Sequence, residues 1–439
     1  MSELLLQQVR LIEPVSGTDR VCDVLIEEGY IKRLSAMIAD NPSEGNVKNC
    51  RGLVMGPGLV DLYSHSGEPG FEQRETLESL MEAAAAGGFT RIAILPDTMP
   101  PVDNTGALAL MKRRYLECAD GAALGAQRMS FRTRAHGRYR RVHLYCWGAL
   151  TLGTQGLQMT QLAELAAAGV VGFADGKPVE NLALLRRLLE YLQPLGKPVA
   201  LWPNNGSLAE DGVMREGIFS LRLGLPGTPA IGETTALATL LQLVEYTGTG
   251  VHVMRVSTAG AVEMIYDAKS RKLPVTASTT WMHLLLDTPA IASHCYDPNL
   301  RLEPPLGNPV DRESLIAGVR DGVIDAIAID HSPYTYEEKT VAFAEAPPGA
   351  IGLELALPLL WHSLVETGQL SAAQLWRSMS TNPALCLQQK PAVISAGEPA
   401  ELMLFDPQQT WTVENLTLKS RATNTPWLGR KLQGRVVHL

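Results

Sequence analysis

The sequence predicts an α/β protein with a (β/α)8 TIM-type barrel and a small composite β-sandwich domain formed from both chain termini. Short apolar runs alternate with helical patterns through the middle of the chain, which is typical of a parallel sheet covered by helices. Strand-like runs dominate both ends of the chain, as expected of a β domain built from the two termini. We therefore predict that residues 1–55 and 386–439 form the sandwich and that residues 56–385 form the barrel.

The terminal strands are predicted from short runs of β-branched and other apolar residues. These runs cover residues 4–11, 21–27, 30–34, 401–405 and 431–437. Only Glu28-Gly29 separates the second run from the third, and this spacing favours a tight β-hairpin.

The barrel is predicted from strand-like runs that are each followed by a helical pattern. After a first strand that ends near residue 65, the runs cover residues 90–95, 142–147, 170–174, 198–201, 251–256, 274–278 and 323–329. Helices are expected from about residue 105 and over residues 157–168, 179–192, 259–271 and 353–367. The active sites of such barrels lie where the strands end, so residues just after each strand are the candidates for function.

Composition and charge exclude several classes of protein. Hydrophobic residues make up 46% of the chain and charged residues 19%, which indicates a globular protein with a substantial core. The net charge of -8 disfavours nucleic acid and anionic membranes as partners. The six cysteines are scattered without a Cys-x-x-Cys pair, and no apolar run approaches the ~18 residues of a membrane span. We expect a cytoplasmic protein with reduced thiols and no signal peptide.

The first barrel strand ends in an incomplete metal-binding pattern, Asp61-Leu62-Tyr63-Ser64-His65. Side chains at positions i and i+2 of a strand point to the same side, so His-x-His at this place would direct two imidazoles at one metal ion. Here the first of the two positions is Tyr63, a phenol with a pKa near ~10 that is a poor zinc ligand at neutral pH.

Together with Asp330-His331-Ser332-Pro333-Tyr334, this pattern makes the chain resemble the class I dihydroorotases of the amidohydrolase superfamily. Further matching segments cover residues 83–90, 207–210, 223–227, 256–259, 304–306 and 424–426. The resemblance extends over nearly the whole chain, apart from the basic segment 128–141. It implies an amidohydrolase barrel and a role in pyrimidine biosynthesis.

The resemblance also implies a pair of zinc ions held by four histidines and by acidic residues. Of the positions that would bind metal, His65 and Asp330 are retained, and Asp175 lies in a shortened motif that could reach the site. Tyr63, Trp202 and Arg255 stand where the other three histidines are expected.

An indole cannot ligate zinc, and a guanidinium has no lone pair to offer. We therefore expect no metal cofactor. Without metal, the carboxylate of Asp330 needs another positive charge, so we predict that Arg255 pairs with Asp330 or Asp175. Trp202 and Tyr63 are expected to fill the remaining space.

The positions that contact substrate in the family are altered as well. The resemblance aligns them with Gly67 in place of an arginine, Asp97 and Glu303 in place of asparagines, and Tyr334 in place of a histidine. Dihydroorotate and carbamoyl aspartate are anions. The loss of one positive charge and the gain of two carboxylates would repel them, and each uncompensated like-charge approach costs about 1–4 kcal/mol near a protein surface.

Two functions remain open at this point. The first is a non-catalytic, homo-oligomeric scaffold subunit, for which the resemblance implies aspartate transcarbamoylase as the partner. The second is an active dihydroorotase or related cyclic-amide hydrolase, with zinc at a mononuclear site of His65, Asp175 and Asp330 and with Asp330 as the catalytic residue. The basic segment 128–141 is interpreted as a solvated loop, as a docking patch for an acidic partner or as a nucleic-acid contact.

Overall fold

The computed structural model describes residues 3–38, 46–120 and 142–437. The basic segment 128–141 lies outside these residues. The described strands are β1 (Glu3–Glu13), β2 (Thr18–Glu27), β3 (Tyr30–Ser35), β4 (Val47–Asn49), β5 (Val54–Pro57), β6 (Leu59–Ser64), β7 (Phe89–Ile94), β8 (His143–Cys146), β9 (Ala200–Leu201), β10 (Met214–Arg215), β11 (Gly227–Thr228), β12 (Val251–Val253), β13 (Val275–Thr280), β14 (Ala326–Ala328), β15 (Leu402–Thr412) and β16 (Lys431–Val437).

The described helices are α1 (Leu77–Ala86), α2 (Thr105–Asp120), α3 (Leu162–Ala168), α4 (Leu182–Leu192), α5 (Gly206–Ala209), α6 (Ile218–Leu223), α7 (Ile231–Thr247), α8 (Ala259–Ser270), α9 (Trp281–Leu285), α10 (Thr288–Ser293), α11 (Pro309–Arg320), α12 (Tyr336–Lys339), α13 (Ala356–Leu360), α14 (Ala372–Trp376) and α15 (Asn382–Cys386). Single π-helical turns, Trp361–Val365 and Arg377–Thr381, extend α13 and α14.

Both chain ends contribute to one seven-stranded sheet. Its strand order is β16-β15-β5-β1-β2-β3, and β4 pairs with β1. The antiparallel pairing of Glu27 with Tyr30 confirms the predicted hairpin, and the turn residues Glu28 and Gly29 both have positive φ. The composite β-sandwich domain of the predicted fold class is thus confirmed, while the domain boundaries near residues 55 and 385 stay a prediction.

This sheet buries both of its faces, because successive side chains of a strand point in opposite directions. Met55 on β5 and Leu404 on β15 pack into a core that belongs to the terminal domain. Their neighbours Val54 and Phe405 pack into the large core around the barrel. The terminal domain is therefore held against the barrel by one face of its own sheet.

Parallel strands form the barrel. Strands β6, β7 and β8 pair in order, and β9, β12, β13 and β14 form a second parallel sheet. Phe173 bridges the two sheets through pairings with Gly148 and Val199. The ring closes where the Asp330 amide donates to the Tyr63 carbonyl at 3.1 Å. Eight parallel segments are present when the bridge at Phe173 is included, which confirms the predicted barrel.

Several details differ from the prediction, and helices α1 and α11 are among the elements that were not predicted. The fourth strand, predicted over residues 170–174, is reduced to the bridge at Phe173. The chain passes very close to its neighbours there, since a Cβ on Gly172 would lie 2.5 Å from both the Pro198 carbonyl oxygen and the Trp147 ring. Helix α7 was not predicted, although its buried residues recur at helical spacing. These residues are Leu237, Leu240, Leu241 and Val244.

In the described ranges, no helix has the length and apolarity to cross a membrane. The six cysteines all lie in these ranges, and none forms a disulfide.

Candidate active site at the barrel mouth

A cavity of about 230 Å³ opens at the carboxyl ends of the barrel strands, where barrel enzymes hold their active sites. Several residues that line it follow a barrel strand within a few positions, namely His65, Asp97, Trp202, Arg255 and Asp330. The cavity therefore contains most of the candidates that the sequence identified.

Arg255 and Asp330 form a bidentate ion pair in this cavity. Arg255 Nε lies 2.8 Å from Asp330 Oδ2, and Nη2 lies 2.7 Å from Oδ1. The third guanidinium nitrogen donates to the Gly176 carbonyl at 2.8 Å. Only 5% of the Arg255 side chain and 14% of the Asp330 side chain are exposed. The predicted pairing of Arg255 is confirmed, and Asp330 is the partner.

Both members of the pair have unusual backbone conformations. The φ angle is 55° at Arg255 and 53° at Asp330, in the left-handed region that residues with a side chain rarely adopt. Each such residue costs on the order of 1–3 kcal/mol, and such strain concentrates at functional sites. The ion pair is thus built on two strained residues that follow β12 and β14, two strands of the same sheet with β13 between them.

His65 lies between two carboxylates. Its Nδ1 is 2.5 Å from Asp97 Oδ2, and its Nε2 is 3.5 Å from Asp330 Oδ1. Burial by itself lowers the pKa of His65, but the negative charges of Asp97 and Asp330 outweigh it and raise the pKa to about 9. The imidazole is therefore protonated at neutral pH. Its 3.3 Å approach to Arg255 Nη2 is then a contact between two cations that share the Asp330 carboxylate.

The charges of this cluster balance. Burial raises the pKa of Asp330, but the nearby Arg255 guanidinium dominates and holds it far below its usual range. The pKa of Asp97 is lowered as well, because His65 outweighs the effect of burial. Two cations, Arg255 and His65, thus neutralise two carboxylates, Asp330 and Asp97.

Tyr63 supports the ion pair from the barrel interior. Its hydroxyl accepts from the Arg255 amide at 3.1 Å and lies 2.9 Å from Ser278 Oγ. Ser278 Oγ in turn lies 2.8 Å from His252 Nε2. Burial raises the pKa of Tyr63, so the phenol stays neutral. It acts as a hydrogen-bonding group within the core, where Trp147 and Met254 are its neighbours.

Trp202 forms one wall of the cavity and is 6% exposed. Arg255 Cζ lies 5.1 Å from the centre of the Trp202 ring and 5.7 Å from that of Tyr63. These distances allow cation–π attraction from two sides. Trp202 and Tyr63, which were expected to fill the remaining space, both pack against Arg255, and a cavity remains beside Trp202.

Asp175 has a different environment from the other candidates. Its Oδ1 accepts from the amides of Leu150 and Thr151 at 2.7 and 3.1 Å, and its Oδ2 accepts from Thr151 Oγ1 at 2.5 Å. Both oxygens are thus used to hold the loop after β8. Asp175 borders the cavity, but its hydrogen bonds do not join it to His65 or Asp330.

Comparisons with known proteins identify the family. The model of the dihydro-orotase-like family matches residues 52–261, and that of the amidohydrolase family matches residues 230–438. A "Probable dihydroorotase-like protein" of Synechocystis sp. is 46% identical over 438 residues, which cover 98% of each chain. This chain belongs to the dihydroorotase-like family.

Relatives named dihydroorotase are also similar to this dihydroorotase-like chain. The dihydroorotase of Pelobacter propionicus is 39% identical, over 99% of this chain and 97% of its own. An L-hydantoinase (dihydropyrimidinase) from Arthrobacter aurescens has a TM-score of 0.80 at 22% identity, over 100% of this chain and 94% of its own. At that identity the likeness shows a shared fold.

The residues present do not fit the zinc ions expected of an amidohydrolase. Zinc lies about 2.0–2.2 Å from its nitrogen and oxygen ligands. Arg255 Nη2 lies 3.3 Å from His65 Nε2 and 2.7 Å from Asp330 Oδ1, so both atoms already contact the guanidinium, and His65 Nδ1 faces Asp97. Among the described residues, no group of three or more His, Cys, Asp or Glu side chains could hold a metal ion. A zinc ion at this place would be repelled by the positive charges of Arg255 and His65. The carboxylates of Asp330 and Asp97 already pair with these two cations.

The altered substrate positions of this dihydroorotase-like chain all lie at the cavity. A Cβ on Gly67 would lie 2.4 Å from the Glu75 carbonyl oxygen, so its loop leaves no room for a side chain. Asp97 is paired with His65, and its Oδ1 is buried without a hydrogen-bond partner. Glu303 is exposed at the rim.

Tyr334 lies between two cations. Arg74 Cζ is 4.8 Å from the centre of its ring, and Lys339 Nζ is 5.2 Å from it. Arg74 also pairs with Glu338, and Lys339 donates to the carbonyls of Pro298 and Pro347. Sequence reasoning missed Arg74 and Lys339, because nothing in their spacing predicts that either would stack on an aromatic ring.

Proposed function

We propose that this chain is a dihydroorotase-like protein of pyrimidine biosynthesis that lacks dihydroorotase activity and works as a scaffold subunit. The observation that carries the proposal is the bidentate pair of Arg255 and Asp330, in which a guanidinium binds the carboxylate that the family resemblance assigns to metal. Opening a cyclic amide requires an activated water and stabilisation of the negative charge that develops on the carbonyl oxygen. With the pair in place, the site offers neither.

The protonation states also disfavour hydrolysis. An efficient general base has a pKa near the working pH. The pKa of Asp330 lies far below this range because of the adjacent Arg255 guanidinium, and both of its oxygens accept hydrogen bonds from Arg255. His65, with a pKa of about 9, is already protonated at neutral pH and cannot accept a proton from water.

Charge at the rim disfavours the substrates of the family's enzymes. Asp97 and Glu303 line the cavity. Of the cations that also line it, Arg74 pairs with Glu338 and Arg255 pairs with Asp330. Lys177 is exposed and forms no ion pair with another described residue. A single exposed lysine does not replace an arginine that clamps a carboxylate in two hydrogen bonds.

As the partner we propose aspartate transcarbamoylase, bound by a homo-oligomer of this chain through surface outside the altered site. The barrel and the terminal domain are retained, whereas three of the expected histidine ligands are replaced. This combination suits a protein that binds a partner and does not catalyse a reaction. No nucleic acid, membrane or metal cofactor is part of the proposal.

An active dihydroorotase or related cyclic-amide hydrolase is the second candidate. It is favoured by relatives named dihydroorotase that are 36–39% identical over nearly the whole chain. It would require Arg255 to move aside, so that His65, Asp175 and Asp330 could converge on zinc.

Two experiments test the proposal. In the first, the purified protein is loaded with zinc, dialysed, and assayed for dihydroorotate hydrolysis and for the reverse cyclisation. Turnover within about tenfold of an ordinary dihydroorotase, roughly 1.4 kcal/mol in barrier height, would establish the second candidate.

The second experiment is co-expression with aspartate transcarbamoylase of the same organism, followed by size-exclusion chromatography with light scattering. The two proteins should co-elute at micromolar concentration. Separate elution would contradict the scaffold. Neutralising Arg138, Arg140 and Arg141 then asks whether segment 128–141 contributes to the contact.

A further inference from the structure

A second cavity, of about 320 Å³, adjoins the one at the barrel mouth. Trp202 and Glu303 line both, so they form a common wall. Two arginines, Arg215 and Arg301, line the second cavity and not the first. Neither takes part in the Arg255 cluster.

Arg215 is a buried cation with few partners. It ends strand β10, and its side chain is 2% exposed. Nη2 donates to Ser257 Oγ at 2.7 Å, whereas Nε has no partner. A guanidinium has five N–H donors, and a buried one normally uses most of them.

The carboxylates near Arg215 do not satisfy it. The nearest oxygen of Glu233 is 3.9 Å away, and Glu233 already accepts from the amide and the hydroxyl of Ser257. Asp311 accepts from the amides of Ala259 and Asn308. Burial therefore outweighs both carboxylates and lowers the pKa of Arg215. A positive charge of this kind is stabilised by an anion that approaches from the cavity.

Arg301 is the second arginine that lines this cavity. Nη1 donates to the Leu302 carbonyl at 3.0 Å, and Nε is buried without a partner. Burial lowers the pKa of Arg301. Glu303 has the opposite effect but is exposed to solvent, so it does not cancel the effect of burial. Two guanidiniums thus line one cavity, and each has a buried Nε without a partner. Paired guanidiniums of this kind suit a carboxylate as the bound group.

The rim of the cavity limits what the rest of such a ligand can be. Glu210, Asp211 and Glu303 are exposed and also line the cavity. They would repel a second negative charge and would tolerate or attract a neutral or positively charged end.

We propose that the second cavity binds a small molecule with a single carboxylate, held by Arg215 and Arg301, and with no other negative charge. The acidic rim disfavours dicarboxylates and phosphates. The site is separate from the barrel mouth and does not depend on whether the Arg255 cluster is catalytic.

Isothermal titration of the full chain with three four-carbon probes tests the proposal. Butyrate and 4-aminobutyrate should bind, and succinate should bind about tenfold more weakly or not at all, as expected for about 1.4 kcal/mol of rim repulsion. Failure of both monocarboxylates to bind, or tightest binding of succinate, would overturn it.

Variants locate the site. Arg301→Gln, a half-buried position, should weaken butyrate binding about tenfold, and Arg215→Gln at least as much if thermal unfolding shows that it folds. Arg222→Gln, an exposed position on α6, should leave binding unchanged. Lys177→Gln removes a positive charge that lines the first cavity and not the second, so it should also leave binding unchanged. Binding that survives Arg301→Gln, or that falls instead in Lys177→Gln, would contradict the assignment.

Discussion

The guanidinium of Arg255 binds both carboxylate oxygens of Asp330, at 2.8 and 2.7 Å, across the mouth of the barrel. The two residues follow strands β12 and β14, and both have positive φ. Their contact neutralises the charge of Asp330. It also joins strand ends that would otherwise present a buried charge to the cavity.

Breaking the pair from one side should be costly. Arg255→Ala should lower the free energy of unfolding by about 3–5 kcal/mol, because it leaves the buried Asp330 with only His65, 3.5 Å away, to balance its charge. Urea unfolding followed by circular dichroism measures this change. The control is Arg186→Ala, which breaks an exposed pair with Glu190 and should leave the midpoint almost unchanged.

Replacing both members should cost less than replacing one. In Arg255→Met/Asp330→Leu the buried charges disappear together, so the double variant should be more stable than either single variant. If the double variant loses the sum of the two single effects, the two residues do not act as a pair.

The contribution of His65 to stability should decrease as the pH rises from neutral. The pKa of His65 is raised to about 9 in the folded protein, against about 6.5 in an unfolded chain. Its contribution is therefore fully present below pH ~6.5 and is lost as the pH rises through about 9. Unfolding measured from pH 6 to 10 should show this loss, and His65→Gln should flatten the curve. An equally steep curve for His65→Gln would assign the effect to another group.

Glu75 should anchor the carboxyl-terminal segment to the barrel mouth. It is fully buried and accepts from Ser420 Oγ, from the Arg421 amide at 2.9 Å and from His331 Nε2 at 3.3 Å. Glu75→Ala leaves several buried donors without a partner, and we expect a loss of roughly 3 kcal/mol in unfolding free energy. Glu82→Ala, at an exposed position of α1, is the matched control. Equal stabilities of the two variants would rule out this role.

Charge compensation made part of the site predictable. A buried Asp330 without metal needs a cation. Arg255 stands where a histidine that points at the same site is expected, so its pairing with Asp330 could be predicted from the sequence. The eight-fold alternation of strands and helices likewise predicted the barrel, because it reflects burial on both sides of a parallel sheet.

Contacts that depend on loop geometry were not predictable in the same way. Asp175 was a candidate for the site, but the loop after β8 uses both of its oxygens. The pairing of His65 with Asp97, and the stacking of Arg74 on Tyr334, depend on how separate loops meet in space. Neither sequence spacing nor charge determines that geometry.

Removing Arg255 should be a condition for metal binding. In Trp202→His, a histidine is added while the guanidinium still binds Asp330 and contacts His65, so zinc binding should not appear. Trp202→His/Arg255→His removes the competing cation and provides His65, two new imidazoles and Asp330, a ligand set that suits zinc. Zinc binding by Trp202→His alone would show that Arg255 does not block the site.

The most direct test of the central claim is the zinc content of the unmodified protein after zinc loading and dialysis, measured by inductively coupled plasma mass spectrometry. Because Arg255 and His65 already neutralise Asp330 and Asp97, the expected result is far less than one zinc per chain. Two zinc ions per chain, retained through dialysis, would contradict the claim that the Arg255–Asp330 pair has replaced the metal site.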